Sequence, residues 1–218
     1  MSPQRDEPFL LSEQADLWVV AKPAHWLTIP GRPEQPAPQE TRSVAAADRP
    51  VLSHWVEKNL GPAWVVHRLD VQTSGLLVFA RSADSHRALN TVFQNHQAKK
   101  IYECLAQGVC ARPMLRLNEP IEGKRSLTQV EVVIQYREVF HARVRIETGR
   151  QHQIRIHLAG QGHPLLGDHR YGKGSGGGVG VDRVALHAAS LTLPDGRSWS
   201  CALPKDFQGW LKRLKEAK

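Results

Sequence analysis

A dense polar loop lies between two short apolar runs of the sequence. Residues 64–66 and 76–80 are apolar, and the second run is short enough and bounded closely enough to be a buried strand. The residues between them, 67–75, read HRLDVQTSG. Two rigid strands would hold this loop in a fixed position, and functional side chains are often carried on loops that a scaffold positions. The chain therefore needs a fold in which a buried sheet presents this loop.

Periodicity along the rest of the chain predicts more strands than helices. Strands are expected at residues 17–21, 64–66, 76–80, 101–109, 128–136 and 141–147, with a hairpin at 190–193 and 198–202 around the turn 194–197. Helices are expected at residues 50–60, from a Ser82 cap to about residue 94, and from Phe207 to Leu214 with Asp206 as a possible cap. Residues 151–159 fit a strand or a helix, and the spacing of Ile154 and Leu158 favours a helix.

The order of these elements indicates the fold class. Strands outnumber helices and do not alternate with them regularly, which favours an α+β fold with a mixed, largely antiparallel β-sheet and flanking helices and loops. Residues 30–50 carry five prolines and predict an extended, mobile connection. Residues 172–180 contain six glycines but lack the G-K-[ST] ending of a P-loop, so they predict a flexible loop. At 218 residues, one domain is expected.

The charge balance favours a polyanionic partner. Lys and Arg number 29 against 21 Asp and Glu, and a phosphate backbone would suit such a surface. Charge alone is equally compatible with a basic protein that binds no nucleic acid. The cysteines Cys104, Cys110 and Cys201 form no C-x-x-C pair, which argues against a disulfide framework or a zinc site and for a reducing cytoplasm. No apolar run reaches the length of a membrane span.

A second polar region spans residues 149–158 and 162–172 and contains His152, His157, His163 and His169. Four histidines could suggest a metal site, but they fit no H-E-x-x-H pattern and lack a clear set of carboxylate partners. Structural or RNA-facing histidines are the better interpretation. For Asp70 in the first loop, taken alone, a turn or cap with Thr73 and Ser74 is the simpler alternative to catalysis.

Together the two polar regions resemble the RluA-type pseudouridine synthases. The signatures of that family are H-R-L-D-x-x-T-S-G followed by an apolar strand, and G-R-x-H-Q-I-R-x-H, and both occur here at every specified position. Segments 20–23, 100–102, 162–172 and 183–188 also resemble the family, so the resemblance covers about residues 16–206. His25, Trp26 and Gln151 depart from its usual residues, and the loop at 111–127 is shorter, so loop shape and substrate range are expected to differ.

The resemblance implies a fold, a reaction and a partner. It implies the pseudouridine synthase catalytic fold, and isomerisation of uridine to pseudouridine in ribosomal or transfer RNA by base flipping, without metal or coenzyme. Residues 1–218 are expected to form a single catalytic domain that lacks the S4 RNA-binding domain of many members. The catalytic domain itself must then bind the RNA. Residues 29–32 resemble compact members that act on both RNA classes. We expect a cytoplasmic monomer.

The resemblance also implies roles for individual residues. Asp70 matches the catalytic carboxylate, which can initiate cleavage of the glycosidic bond. Arg155 would oppose Asp70 and keep it ionised, Tyr102 would stack on the target base, and Arg68 would fill the space that the base leaves. The remaining substrate or RNA contacts are expected from His67, Thr73, Lys100 and Arg150, with Lys22 as a phosphate or loop contact. The alternatives are a core position for Tyr102, and a phosphate contact or a solvated helix face for Arg155.

Two other classes of protein compete with the enzyme. A non-catalytic RNA-binding or RNA-chaperone module would use the same scaffold for its basic surface alone, and the intact set of Asp70, Tyr102 and Arg155 argues against it. A small Asp/His hydrolase would need a G-x-S-x-G elbow or a cluster of metal ligands, and the sequence has neither.

Overall fold

A computed structural model describes residues 7–31, 49–172 and 178–217. Within these residues the strands are β1 (Phe9–Glu13), β2 (Leu17–Lys22), β3 (Trp64–Val65), β4 (Ser74–Ala80), β5 (Lys99–Gln107), β6 (Met114–Leu117), β7 (Thr128–Gln135), β8 (Val139–Ile146), β9 (Leu186–Thr192) and β10 (Ser198–Ser200). The helices are α1 (Leu52–Leu60), α2 (Ala83–Gln94), α3 (Gln153–Gly160) and α4 (Lys205–Glu216). Most of the two predicted loops, residues 32–48 and 173–177, lies outside the described residues.

The strands form one mixed sheet in the order β1-β2-β4-β9-β5-β8-β7-β6, with β3 also paired to β4 and β10 to β9. The pairings between these strands are antiparallel except β4 with β9, which is parallel at Ser74 and Gly75. The predicted α+β class with a largely antiparallel sheet is therefore confirmed, as is the helix at residues 151–159. The sequence reasoning missed the edge strands β1 and β6 and started β9 four residues late.

Helices cover both faces of the sheet. Tyr102, Cys104 and Ala106 of β5 point to the face where α1 and α3 pack. Leu105, between them in sequence, points to the other face and packs against α4, while α2 covers the same side of β4. All seven residues of β4 are buried because both of its faces are covered. The loop that precedes β4 is thus anchored to the most buried strand of the protein.

The sequence predicts the N-terminal cap of α2 correctly, but not that of α4. Ser82 caps α2 and forms a reciprocal capping box with Ser85, as its hydroxyl predicted. Asp206 does not cap α4: the helix starts at Lys205 after Pro204, and the Asp206 carboxylate accepts a hydrogen bond from Arg183 Nε at 2.7 Å. The cap prediction was wrong because a buried guanidinium distant in sequence competes for the carboxylate. The longest helices have 12 residues, and no helix among the described residues has the length and apolarity to cross a membrane.

Arg183 joins the polar loop to the C-terminal helix. It is almost fully buried, and besides Asp206 it donates to the carbonyls of Gln72, Val184 and Leu186 and to the Ser74 hydroxyl. Gly75 permits the same junction, because its φ is +121° and a Cβ there would overlap the carbonyl of Ala188. The end of the loop is therefore fixed by buried contacts with β9 and α4.

Two histidines, the half-buried His67 and the buried His187, should make the fold sensitive to acid. His67 accepts a hydrogen bond from the Val78 amide, and His187 lies between the Ser74 hydroxyl and the Cys201 carbonyl. Burial lowers the pKa of His67 to about 3 and that of His187 to about 4. Between these values and the unfolded pKa of about 6.5, the unfolded chain binds more protons than the folded chain, so stability falls as pH falls through this window.

We expect the free energy of unfolding to drop by about 2 kcal/mol or more between pH 7 and pH 4.5. Urea titrations across this range measure the drop. His187→Gln should flatten the pH dependence, whereas the same change at the exposed His54 should leave it as in the wild type. A stability that stays level or rises on acidification would show that the rings of His67 and His187 are not held neutral.

Candidate active site

A cavity of about 290 Å³ opens where the polar loop, β5 and the start of α3 meet. The structure brings all eight sequence-predicted site residues to its lining: His67, Arg68, Asp70, Thr73, Lys100, Tyr102, Arg150 and Arg155. His96, His152 and Gln153 line it as well, although the sequence reasoning gave them no role in a site. The eight predicted residues, which span 88 positions from His67 to Arg155, therefore share one cavity.

The loop holds Asp70 through backbone contacts and leaves its carboxyl facing the cavity. The Thr28 hydroxyl donates to the Leu69 carbonyl and accepts from the Leu69 amide. The Val71 carbonyl accepts from the His25 amide at 2.7 Å, and the Asp70 carbonyl accepts from the Thr73 amide at 3.1 Å. The turn that the sequence allowed at Asp70 is thus made by the main chain. The Asp70 side chain lines the cavity and is 23% exposed.

Lys22 supports this loop from behind. Its ammonium group donates to the carbonyls of Pro23, Trp26 and Val71 at 2.9, 2.9 and 3.2 Å, and the side chain is 1% exposed. Burial lowers the pKa of Lys22 to about 7, with a smaller contribution from the charge of Arg183. Of the two predicted roles the loop contact is confirmed and the phosphate contact is wrong, because phosphate has no access to this group.

Arg155 is shared between two carboxylates. It lies in the first turn of α3, is 2% exposed, and donates from Nε and Nη2 to the two oxygens of Asp168 at 2.8 and 3.0 Å. Its Nη1 atom is 4.0 Å from Oδ2 of Asp70. The expected opposition to Asp70 is present, but as a long contact, because the fork of the guanidinium holds Asp168. Arg155 lies inside the protein, so it does not occupy a solvated helix face.

Asp168 fixes that guanidinium and the turn that follows. Its Oδ1 atom also accepts hydrogen bonds from the backbone amides of Arg170 and Tyr171, both at 3.0 Å. Burial alone would raise the pKa of Asp168, but the hydrogen bonds from Arg155 and from these amides lower it below the usual value. Asp168 is therefore a charged, fully buried anchor, and its place in segment 162–172 was its only signal in the sequence.

His152 lines the cavity beside Asp70, and Tyr171 contacts His152. His152 Nε2 is 3.7 Å from Asp70 Oδ1, and His152 Nδ1 is 2.9 Å from the Tyr171 hydroxyl. The guanidinium carbon of Arg155 lies 5.0 Å from the centre of the Tyr171 ring. The position of His152 inside the G-R-x-H-Q-I-R-x-H signature was the available signal. His157, by contrast, is bound between the Thr128 hydroxyl and the Glu119 carbonyl, away from the cavity lining.

Tyr102 projects from β5 into the cavity and belongs at the same time to the buried core on that face. Burial, and then the negative charge of Asp70, raise the pKa of the Tyr102 phenol. The phenol therefore keeps its proton near neutral pH and can donate a hydrogen bond, whereas it is a poor base. Its ring supplies a flat surface on which a base can stack.

Three basic side chains of different exposure contribute to the cavity lining. Arg68 is exposed, Arg150 is half-buried and donates to the Arg125 carbonyl, and Lys100 donates to the Thr148 carbonyl. Burial lowers the pKa of Lys100 to about 8, which leaves it mainly charged at neutral pH. His67 differs from these groups: its neutral ring stacks on Phe93 at 4.5 Å and forms a wall. Thr73 is buried in the same wall.

Comparison with solved structures defines the class of fold. The chain superimposes on the structure titled Human RNA Pseudouridylate Synthase Domain Containing 4 with a TM-score of 0.73, over 94% of this chain and 92% of that one, at 22% identity. For Human RNA Pseudouridylate Synthase Domain Containing 1 the TM-score is 0.72, over 100% and 97% of the two chains, at 22% identity. At these identities the likeness establishes the fold, which is that of the pseudouridine synthases.

The sequence comparisons establish the family. The RNA pseudouridylate synthase profile matches residues 16–160. An uncharacterized RNA pseudouridine synthase of Aquifex aeolicus is 38% identical over 124 residues, 50% of this chain and 39% of the relative. Ribosomal large subunit pseudouridine synthase D of Haemophilus ducreyi is 33% identical over 183 residues (70% and 56%), and that of Yersinia pestis is 31% identical over 245 residues (98% and 73%). The chain belongs to the RNA pseudouridylate synthase family, and it spans between about two fifths and three quarters of the length of these relatives.

Proposed function

We propose that this chain isomerises uridine to pseudouridine in RNA, with Asp70 as the catalytic carboxylate. The observation that carries the proposal is the cavity, in which Asp70 faces Arg155 and Tyr102 while the backbone on either side of Asp70 is held by buried contacts. A non-catalytic RNA-binding module would need the basic side chains of the lining but not a carboxylate fixed inside the cavity. The enzymatic function therefore explains more of the site.

The reaction needs one carboxylate and a confined base. The N1–C1′ bond of uridine breaks, the uracil ring turns while it stays bound, and a C5–C1′ bond forms as the C5 proton leaves and N1 regains a proton. Atoms and electrons balance within the substrate, so the proposed route uses no metal, coenzyme or redox partner. Asp70 initiates the cleavage, and Nη1 of Arg155 lies 4.0 Å from one of its carboxylate oxygens.

The size of the cavity sets the form of the substrate. A cavity of about 290 Å³ is at the lower end of the range for small-molecule sites, so it suits one nucleotide and not a paired duplex. The target uridine must leave its stack, at a cost of a few kcal/mol that is smallest in loops and other unpaired regions. Tyr102 then stacks on the extruded base, and the exposed Arg68 is placed to occupy the space that it leaves.

The proposed RNA classes rest on the names of the relatives, on a sequence resemblance and on the basic residues of the cavity. Relatives named ribosomal large subunit pseudouridine synthase D support ribosomal RNA as the substrate. Transfer RNA is the second substrate class, supported by the resemblance of residues 29–32 to compact members. The exposed Arg68 and the half-buried Arg150 suit phosphates on either RNA, and Lys100 adds a buried positive charge to the same lining.

The working form is proposed to be a cytoplasmic monomer. All the residues assigned to the reaction line one cavity of one chain, so the site needs no second copy. Cys104, Cys110 and Cys201 are free thiols, as suits a reducing compartment.

Among the described residues, no three His, Cys, Asp or Glu side chains group in a way that could hold a metal ion.

Mapping pseudouridine in total RNA tests the function and the substrate together. RNA from cells with and without this gene is compared position by position, and we expect one or a few uridines in unpaired regions of ribosomal or transfer RNA to lose the modification. Restoring the gene should restore the same positions. Identical maps, together with no pseudouridine formed by the purified chain on unmodified RNA, would contradict the proposal.

A further inference from the structure

The backbone at His152 adopts a left-handed conformation. Its φ is +54°, a region that is uncommon for residues other than Gly and in which Asn, Asp and His are enriched. It precedes α3, but its side chain forms no capping hydrogen bond with that helix. Asn or Gly would meet the backbone requirement with less strain. The imidazole therefore serves something other than the helix start.

The ring of His152 connects the catalytic carboxylate to the turn after α3. Its side chain is 8% exposed and lines the cavity. Nε2 lies 3.7 Å from Asp70 Oδ1, and Nδ1 lies 2.9 Å from the hydroxyl of Tyr171. Arg155 approaches the other Asp70 oxygen, Oδ2, at 4.0 Å. The two oxygens of Asp70 are thus each faced by a different group.

The contacts favour one tautomer of the neutral ring. A carboxylate only accepts hydrogen bonds, so a proton on Nε2 is attracted to Asp70, whereas a lone pair there would be repelled. A neutral ring with its proton on Nε2 has an acceptor at Nδ1, which the Tyr171 hydroxyl satisfies as donor. The 3.7 Å separation exceeds a normal hydrogen bond by about 0.8 Å, and such contacts often tighten when substrate binds.

We propose that His152 is a positioning residue for Asp70, which donates from Nε2 to one carboxylate oxygen while Tyr171 fixes its tautomer and the positive charge of Arg155 faces the other oxygen. A donor at one oxygen and a positive charge beside the other fix the plane of the carboxylate and so the direction in which it meets C1′ or the base. This role rests on the proposed isomerase function. Neither His152 nor Tyr171 needs to touch the substrate for it.

The first test replaces His152 with Asn, which accepts the left-handed backbone and removes the imidazole. Glu122→Asn is the matched control, because Glu122 also has a positive φ, +51°, and lies exposed in a turn outside the cavity. Single-turnover pseudouridine formation with excess enzyme gives the rate, and filter binding at fixed salt gives the RNA affinity. We expect His152→Asn to slow the reaction about ten- to a hundredfold, the range for a hydrogen bond to a charged group, with affinity changed less than about twofold.

The second test asks whether Tyr171 acts through His152. Tyr171→Phe keeps the ring beside Arg155 and removes the hydroxyl, so it should slow the reaction about three- to tenfold in the wild-type background. In the His152→Asn background it should have no further effect, because its partner is gone. If the double variant is slowed by the product of the two single effects, the proposed link between Tyr171 and His152 is overturned.

Each other outcome also decides the question. A His152→Asn rate equal to that of Glu122→Asn would overturn the positioning role, and so would a parallel loss of rate, RNA affinity and melting temperature, which a structural role predicts. His152→Gly relieves the backbone strain completely and serves as the second variant if the Asn variant melts early. If the wild-type and Glu122→Asn chains form no pseudouridine on a mapped target RNA, the isomerase function itself fails, which is distinguishable from failure of His152 alone.

Discussion

The Asp70→Asn variant is expected to lose pseudouridine formation by at least about a thousandfold, or about 4 kcal/mol of transition-state stabilisation, while it binds RNA nearly as well as the wild type. Asn has the size of Asp but lacks the negative charge and the carboxylate oxygens that initiate the reaction. The fold should tolerate the change, because the bonds that hold the loop go to the backbone of residues 69–71. Phosphate affinity should not fall when a negative charge is removed from the cavity.

Single-turnover assays and filter binding on the same RNA separate the two effects. Asp84→Asn is the matched control, because Asp84 is exposed on α2 and pairs at the surface with Arg87. The control should react at the wild-type rate. An Asp70→Asn variant that keeps more than about a tenth of the wild-type rate would remove Asp70 from the centre of the chemistry. Loss of RNA binding in the same variant would indicate a structural role for the carboxylate.

The parts of the fold that the sequence predicted are those whose signals are local. β4 is an unbroken apolar run, and both of its faces are covered as such a run requires. Ser82 and Ser85 are three residues apart and cap α2 without help from any other element. The spacing of Ile154 and Leu158 gave α3 its buried side. Each of these patterns is decided by neighbours in the chain.

The missed parts depend on tertiary contacts or on weak patterns. β1 and β6 are short strands at the two edges of the sheet, where one row of hydrogen bonds is enough and the alternation of polar and apolar residues is imperfect. Asp206 fits the sequence pattern of a helix cap, but Arg183, 23 residues earlier, binds its carboxylate. Patterns between neighbouring residues cannot show whether a carboxylate will cap its own helix or bind a guanidinium that is distant in sequence.

For the site as well, the sequence predicts which residues are present but not how they are arranged. The two signature segments contain 11 of the 19 residues that line the cavity, so more than half of the lining was predictable. Which carboxylate holds the guanidinium fork of Arg155 was not, because Asp70 and Asp168 both lie in polar segments of similar character. The distances of 2.8 Å to Asp168 and 4.0 Å to Asp70 follow from how the turn after α3 folds back on the helix.

The Asp168→Asn variant is expected to unfold more easily by about 3–5 kcal/mol, because it leaves the almost fully buried Arg155 without its bidentate partner. For a chain of this size the melting temperature should fall by about 6–20 °C. Asp16→Asn is the matched control: Asp16 also binds a guanidinium through both oxygens, that of Arg197 at 2.6 and 2.9 Å, but the pair is partly exposed and should contribute at most about 1 kcal/mol. Thermal and urea unfolding of both variants measure the difference. Equal losses would mean that burial does not set the cost of breaking the pair, and a stable Asp168→Asn variant with normal activity would show that Arg155 can turn to Asp70 at no cost.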